Sequence, residues 1–134
     1  MKVNLVAFAS TFVIFVVIDF IWLRSMADML YRPTLGDMLA PEFRLAPAVL
    51  FYLIFVAALT FFAVLPSLEP GKGLTTALLH GAIFGLAAYA TYDLTNQATL
   101  KNWSTLLTVA DLAWGTTLSA IAAGGGHLVT RAVD

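Results

Sequence analysis

Four apolar stretches, each about as long as a membrane is thick, constrain the fold of this chain more than any other feature. They cover residues 3–24, 47–65, 74–96 and 103–128 of the 134 residues. A helix needs ~20 mostly apolar residues to cross the hydrocarbon core of a bilayer. The sequence therefore predicts an all-α fold, an integral membrane four-helix bundle that forms one domain over residues 1–134.

The composition excludes the other common classes of protein. The chain is 60% hydrophobic and 11% charged, whereas soluble domains average roughly 45–50% and 25%. A water-facing globule of this size could not hide so much apolar surface. The absence of cysteine excludes thiol chemistry, thiolate metal sites and disulfides. Because the formal net charge is −1 and no basic patch is present, we expect no nucleic-acid partner.

The arrangement of the spans follows from their number. The first apolar stretch is longer than the ~7–15 residues of a signal-peptide core, so we expect it to be retained as a span. Four spans place both termini and residues 66–73 on one face of the membrane, and residues 24–46 and 97–102 on the other. Lysine and arginine number three on the first face and four on the second, a difference too small to predict the orientation.

Residues 24–46 form the only long connection. This segment mixes Met and Leu with charged side chains and is interrupted by Pro33 and Gly36. Such a pattern predicts one or two short turns that lie at the membrane surface between the first two spans. Near the other end of the chain, the run of glycines at 124–126 is typical of a helix end.

Three aspartates lie where a membrane helix should not contain them. Asp19, Asp93 and Asp111 fall inside the spans or near their ends, and a central Asp costs about 2.5–3.5 kcal/mol on insertion scales. The direction of each span places Asp19 and Asp93 about one helical turn below the face of the long connection, and Asp111 about two turns below it. We therefore expect the three carboxyl groups to lie in one leaflet and to meet inside the bundle.

Aromatic and polar side chains accompany these acids. Trp22 follows Asp19 by three residues and Trp114 follows Asp111 by three, so each Asp–Trp pair shares a helix face. Tyr92 and Asn96 flank the third acid. The sequence thus predicts an acidic and aromatic layer near one surface of the membrane.

The two histidines belong to the opposite surface. His80 begins the third span and His127 ends the fourth. Because ~20 Å of bilayer would separate them from the acids, we do not expect a site that joins His to Asp. Gly81 and Gly85 form a G-x-x-x-G pair on the third span. Such pairs let helices approach closely, and we favour packing within the bundle over a dimer interface.

Several segments carry a resemblance to a known family. Residues 81–100, with Y-D-L-T-N at 92–96 as their most specific part, resemble the bacterial inner-membrane family known as domain of unknown function 2177. So do D-F-I-W-L at 19–23 and D-L-A-W-G at 111–115, together with L-Y-R at 30–32, Leu35–Gly36 and F-Y at 51–52. The resemblance implies a multi-pass protein of the bacterial inner membrane with four helices, and it supplies no reaction, catalytic residue or cofactor.

The residues that the resemblance and the depth argument favour for binding form one set. They are Asp19, Trp22, Tyr92, Asp93, Asn96, Trp103, Asp111 and Trp114. The preferred interpretation is a site that binds or processes a lipid or another hydrophobic small molecule. No spacing of acids is typical of a metal site, so Mg²⁺ is less favoured and we expect no metal or cofactor.

Other interpretations of the polar layer stay open. The acids could simply hydrogen-bond across helices and set their register, with Trp22 and Trp103 in an interfacial belt. Membrane carboxylates also occur in small proton-coupled transporters, and a chain this small could be an accessory subunit of a larger membrane complex. The expected partners are accordingly membrane lipid, a lipid-like ligand, and a second copy or another membrane subunit.

Overall fold

A computed structural model describes all residues 1–134 and contains helices but no strands, which confirms the all-α fold class. The helices are α1 (Lys2–Met26), α2 (Arg32–Leu35), α3 (Leu45–Leu59), α4 (Leu65–Ser67), α5 (Leu74–Thr99) and α6 (Thr105–Val133). Two π-helical turns, Ala27–Tyr31 and Thr60–Val64, connect α1 to α2 and α3 to α4 without a break.

Four helical segments are long and apolar enough to cross a membrane. They are Lys2–Met38, Leu45–Ser67, Leu74–Thr99 and Thr105–Val133. Each overlaps a predicted span, and the ends differ by at most five residues except in the first segment, which continues to Met38, fourteen residues beyond the predicted end at 24. The last segment starts at Thr105 rather than at Trp103 because Ser104 caps it: the Ser104 hydroxyl accepts a hydrogen bond from the backbone N–H of Leu107 at 3.2 Å.

The prediction that a helix ends at the glycines 124–126 is wrong. Helix α6 continues through them to Val133. An added Cβ on Gly124 would lie 2.7 Å from Leu78, and one on Gly125 would lie 2.6 Å from Ile14. These glycines therefore serve close helix packing, and an unbroken helix keeps their backbone groups hydrogen-bonded inside the bilayer.

The segment after the first span is more helical than isolated surface turns. Helix α1 continues past Arg24 and widens into the π turn, and Pro33 occupies the first turn of α2, where its missing N–H is tolerated. Gly36 then ends α2 with a φ of +52°, a conformation that glycine adopts without strain. The π turn places the hydroxyl of Tyr31 within hydrogen-bonding distance of Asp111 on α6.

Helix α6 is the central element of the bundle. It packs against α1 and α5, while α3 packs against α1. A Cβ on Gly81 would lie 2.7 Å from the carbonyl oxygen of Ser119, and Gly85 faces the same stretch of α6. Because the glycine pair faces α6, it mediates packing within the chain.

The outer surface is apolar, as lipid contact requires. Large side chains such as Leu50, Ile54, Phe61 and Ile83 are more than half exposed. The interior contains a continuous apolar core, in which Phe15, Leu59 and Leu118 are fully buried. A chain that is apolar on both its inner and its outer faces is stable in a bilayer rather than in water.

Candidate functional site: an acidic and aromatic cavity

A cavity of about 400 Å³ lies at the end of the bundle where α1 passes into the π turn. Its volume falls in the range of small-molecule sites. All four spanning segments contribute to its wall, and its only charged residues are two aspartates among apolar and aromatic side chains. The lining residues are Asp19, Leu23, Tyr31, Phe51, Phe55, Ala88, Tyr89, Tyr92, Asp111 and Trp114.

Asp19 joins three helices. Its Oδ1 accepts a hydrogen bond from the indole N–H of Trp114 on α6 at 3.0 Å. Its Oδ2 accepts one from the hydroxyl of Tyr52 on α3 at 2.6 Å. Both carboxyl oxygens of Asp19, which lies on α1 and is buried, therefore have a neutral donor.

Asp111 is held by residues that follow the first span. The hydroxyl of Tyr31 donates to Asp111 Oδ1 at 2.7 Å and accepts a hydrogen bond from the indole N–H of Trp22 at 3.0 Å. The rings of Trp22 and Trp114 stack with their centroids 4.4 Å apart and their planes at 8°. This stack connects the hydrogen bonds of Asp111 to those of Asp19.

Asp93 differs from the other two acids. It is fully buried, with 0% of its surface exposed, and neither of its oxygens has a hydrogen-bond partner. The antiparallel register, in which Tyr89 packs on Gly115, brings Asp93 beside the carboxyl group of Asp111. An isolated buried carboxyl is costly, so this third acid is the least explained polar group of the site.

The remaining predicted site residues lie at the edge of the cavity or beyond it. Tyr92 lines the cavity and packs edge-on against Trp103, with centroids 5.7 Å apart. The indole of Trp103 donates to the Thr108 hydroxyl at 2.9 Å and does not reach the cavity lining. Asn96 is half-buried. Its backbone carbonyl accepts a hydrogen bond from the backbone N–H of Leu100 at 2.8 Å. The structure thus brings the acids, Trp22, Tyr92 and Trp114 together and leaves Asn96 and Trp103 outside.

Sequence reasoning missed three tyrosines. Tyr52 and Tyr31 donate to the two cavity acids, and Tyr89 lines the cavity between them. A usable signal existed, since a tyrosine in an apolar span needs a partner for its hydroxyl. The Tyr31 signal was weaker because its segment was assigned to the membrane surface rather than to the interior.

The histidines lie away from the acids. His127 Nδ1 is 2.7 Å from the hydroxyl of Ser67 in a buried pair, and His80 Nδ1 is 3.3 Å from the carbonyl oxygen of Phe62.

No group of three His, Cys, Asp or Glu side chains is arranged to hold a metal ion.

Four apolar helical segments around an internal cavity define an integral membrane protein. The sequence matches, over residues 4–128, the model of the family described as "Predicted membrane protein (DUF2177)", and the chain belongs to this family. No curated protein and no solved structure matches the chain.

Proposed function

We propose that the protein binds a lipid or another hydrophobic small molecule in the cavity, as a multi-pass protein of the bacterial inner membrane. The observation that carries the proposal is the lining itself: two carboxyl groups, of Asp19 and Asp111, lie in a wall that is otherwise apolar and aromatic. Ligand sites typically combine such a wall with a few polar groups that orient the ligand.

The path into the cavity supports a ligand that comes from the bilayer. Helix α5 packs against the π turn Thr60–Val64, but its backbone diverges from α3 toward the cavity end. Phe51 on α3 and Tyr92 on α5 line the cavity there and are 44% and 55% exposed. A hydrophobic molecule could enter between these two helices without crossing water.

Proton-coupled transport is the second candidate, and one observation favours it. Asp93 is buried without a hydrogen-bond donor beside Asp111, and a proton placed between these carboxyl groups would give each a partner. The same two acids would be the candidates for general acid–base chemistry on a bound molecule. Acid-driven flux of a bound compound in sealed vesicles, abolished by Asp93→Asn, would favour transport, whereas binding without flux would favour a binding site.

Filling the cavity tests the primary proposal. Ala88 lines the cavity, whereas its neighbour Ala87 is exposed on the outer surface of the same helix. We expect native mass spectrometry of the full chain to reveal a co-purified hydrophobic molecule that is lost in Ala88→Trp and retained in Ala87→Trp. Retention in both variants, or no bound molecule in the unaltered chain, would contradict the proposal.

A further inference from the structure

We infer that the molecule bound in the cavity carries a cationic head group, an amine or quaternary ammonium. This inference rests on the proposed function and names the chemical class of its ligand. It follows from the charge balance of the site, the free acceptors in its wall and the aromatic rings around them.

The chain supplies no counter-charge to the cavity acids. Its only ion pair joins Arg32 to Asp28 on the exposed surface. No lysine or arginine lines the cavity, and the other cations of this end, Arg24, Arg44 and Lys101, are exposed. Buried acids without a counter-charge are costly, so a positively charged ligand group would relieve what the protein leaves unbalanced.

The carboxyl oxygens also retain acceptor capacity. Asp111 lines the cavity and accepts one hydrogen bond from a neutral donor, from Tyr31 to Oδ1, so its carboxyl group retains acceptor capacity. Behind it, both oxygens of the fully buried Asp93 lack a partner. An ammonium group carries a positive charge, and a primary amine also has N–H donors, whereas neither has an acceptor. Such a group therefore complements carboxyl oxygens that accept too few hydrogen bonds.

The aromatic lining completes a cation site. Tyr31, Tyr89, Tyr92 and Trp114 surround the space beside the acids. The faces of such rings attract organic cations, most strongly where water is excluded. An anionic head group would instead be repelled by the carboxylates, and a neutral one would bring them no positive charge. Phe51 and Phe55, on the side that opens to lipid, would contact the hydrocarbon tail.

The experiment compares three probes of equal tail length: dodecyltrimethylammonium, dodecanol and dodecyl sulfate. Each is titrated into the purified full chain in neutral detergent, and native mass spectrometry measures the bound fraction. We expect the cation to bind roughly ten-fold or more tightly than the other two. Asp111→Asn should weaken binding of the cation by roughly ten-fold and leave dodecanol unchanged. The matched control Asp37→Asn, at an exposed acid of the connecting segment, should change neither.

The outcomes separate this inference from the proposed function. Equal affinity for all three probes, reduced in Ala88→Trp, would overturn the cationic head group and keep the cavity as a binding site. Binding of none of them and of no co-purified molecule would overturn both. If Asp111→Asn does not fold, the ranking of the probes on the unaltered chain still decides, because a preference for dodecanol or dodecyl sulfate contradicts the inference.

Discussion

The two ends of the bundle contain buried polar groups of different kinds. At the histidine end, the Ser67 hydroxyl donates to the carbonyl oxygen of Val64 at 2.5 Å and contacts His127 Nδ1 at 2.7 Å. At the acid end, Asp111 lines a cavity and Asp93 has no hydrogen-bond partner. The Ser67–His127 pair is satisfied within the chain, although the nearby Thr11 hydroxyl has no partner, whereas at the acid end Asp111 presents a carboxyl group to the cavity.

The sizes of the neighbouring side chains explain the difference. At the histidine end, the buried residues of α6 are small, among them Ala122, Ala123 and Gly126, so the helices come close together. At the acid end, Phe51, Tyr89 and other rings stand between the helices. Such rings hold the helix backbones further apart than small residues do, and the cavity lies between them. A satisfied polar pair in tight packing is therefore structural, and acids in a loosely filled space are candidates for binding.

The largest effect is expected from crowding the tight end. In Gly126→Val the new side chain would overlap the hydroxyl of Thr11, and even its Cβ would lie 3.2 Å from that residue's Cβ. We expect the free energy of unfolding to fall by about 3 kcal/mol, measured by circular dichroism in mixed detergents. The control is Gly73→Val, whose Cβ meets nothing within 4 Å. Equal stability of the two variants would show that this end is not closely packed.

A smaller loss of stability is expected from Asp19→Asn. The carboxylate accepts hydrogen bonds from both Trp114 and Tyr52, and an amide would turn its NH₂ group toward one of these donors. We expect the free energy of unfolding to fall by about 2 kcal/mol in the same assay, with Asp37→Asn as an exposed control. An unchanged free energy of unfolding would mean that the two hydrogen bonds do not hold the helices together.

The same substitution at Asp93 should have the smallest effect and the opposite sign. Asp93 has no donor to lose, and an amide N–H could donate to the adjacent Asp111. We expect the free energy of unfolding of Asp93→Asn to rise by about 1 kcal/mol or to stay unchanged. A loss as large as that in Asp19→Asn would show that Asp93 has a structural partner, and the contrast between the two acids would fail.

Much of the fold could be predicted from the sequence, because length and hydropathy decide which helices can span a bilayer. The common level of Asp19, Asp93 and Asp111 also follows from helix direction and position alone. The hydrogen-bond partners of these acids could not be predicted in this way. Tyr31 and Tyr52 come from segments whose rotation, and whose distance from the acids, depend on how the helices pack. The π turn before α2 illustrates this, because it places Tyr31 within hydrogen-bonding distance of Asp111, and no local pattern signals it.

The sequence by itself determined that this protein crosses the membrane with four helices and carries three acids near one surface. Hydrophobic transfer acts residue by residue along the chain, and the rise of a helix converts residue number into depth. Only the tertiary structure decided that two acids line a cavity while the third lies buried beside one of them, and that glycines close the opposite end. Those outcomes depend on helix rotation and side-chain volume, which are settled when all four helices pack together.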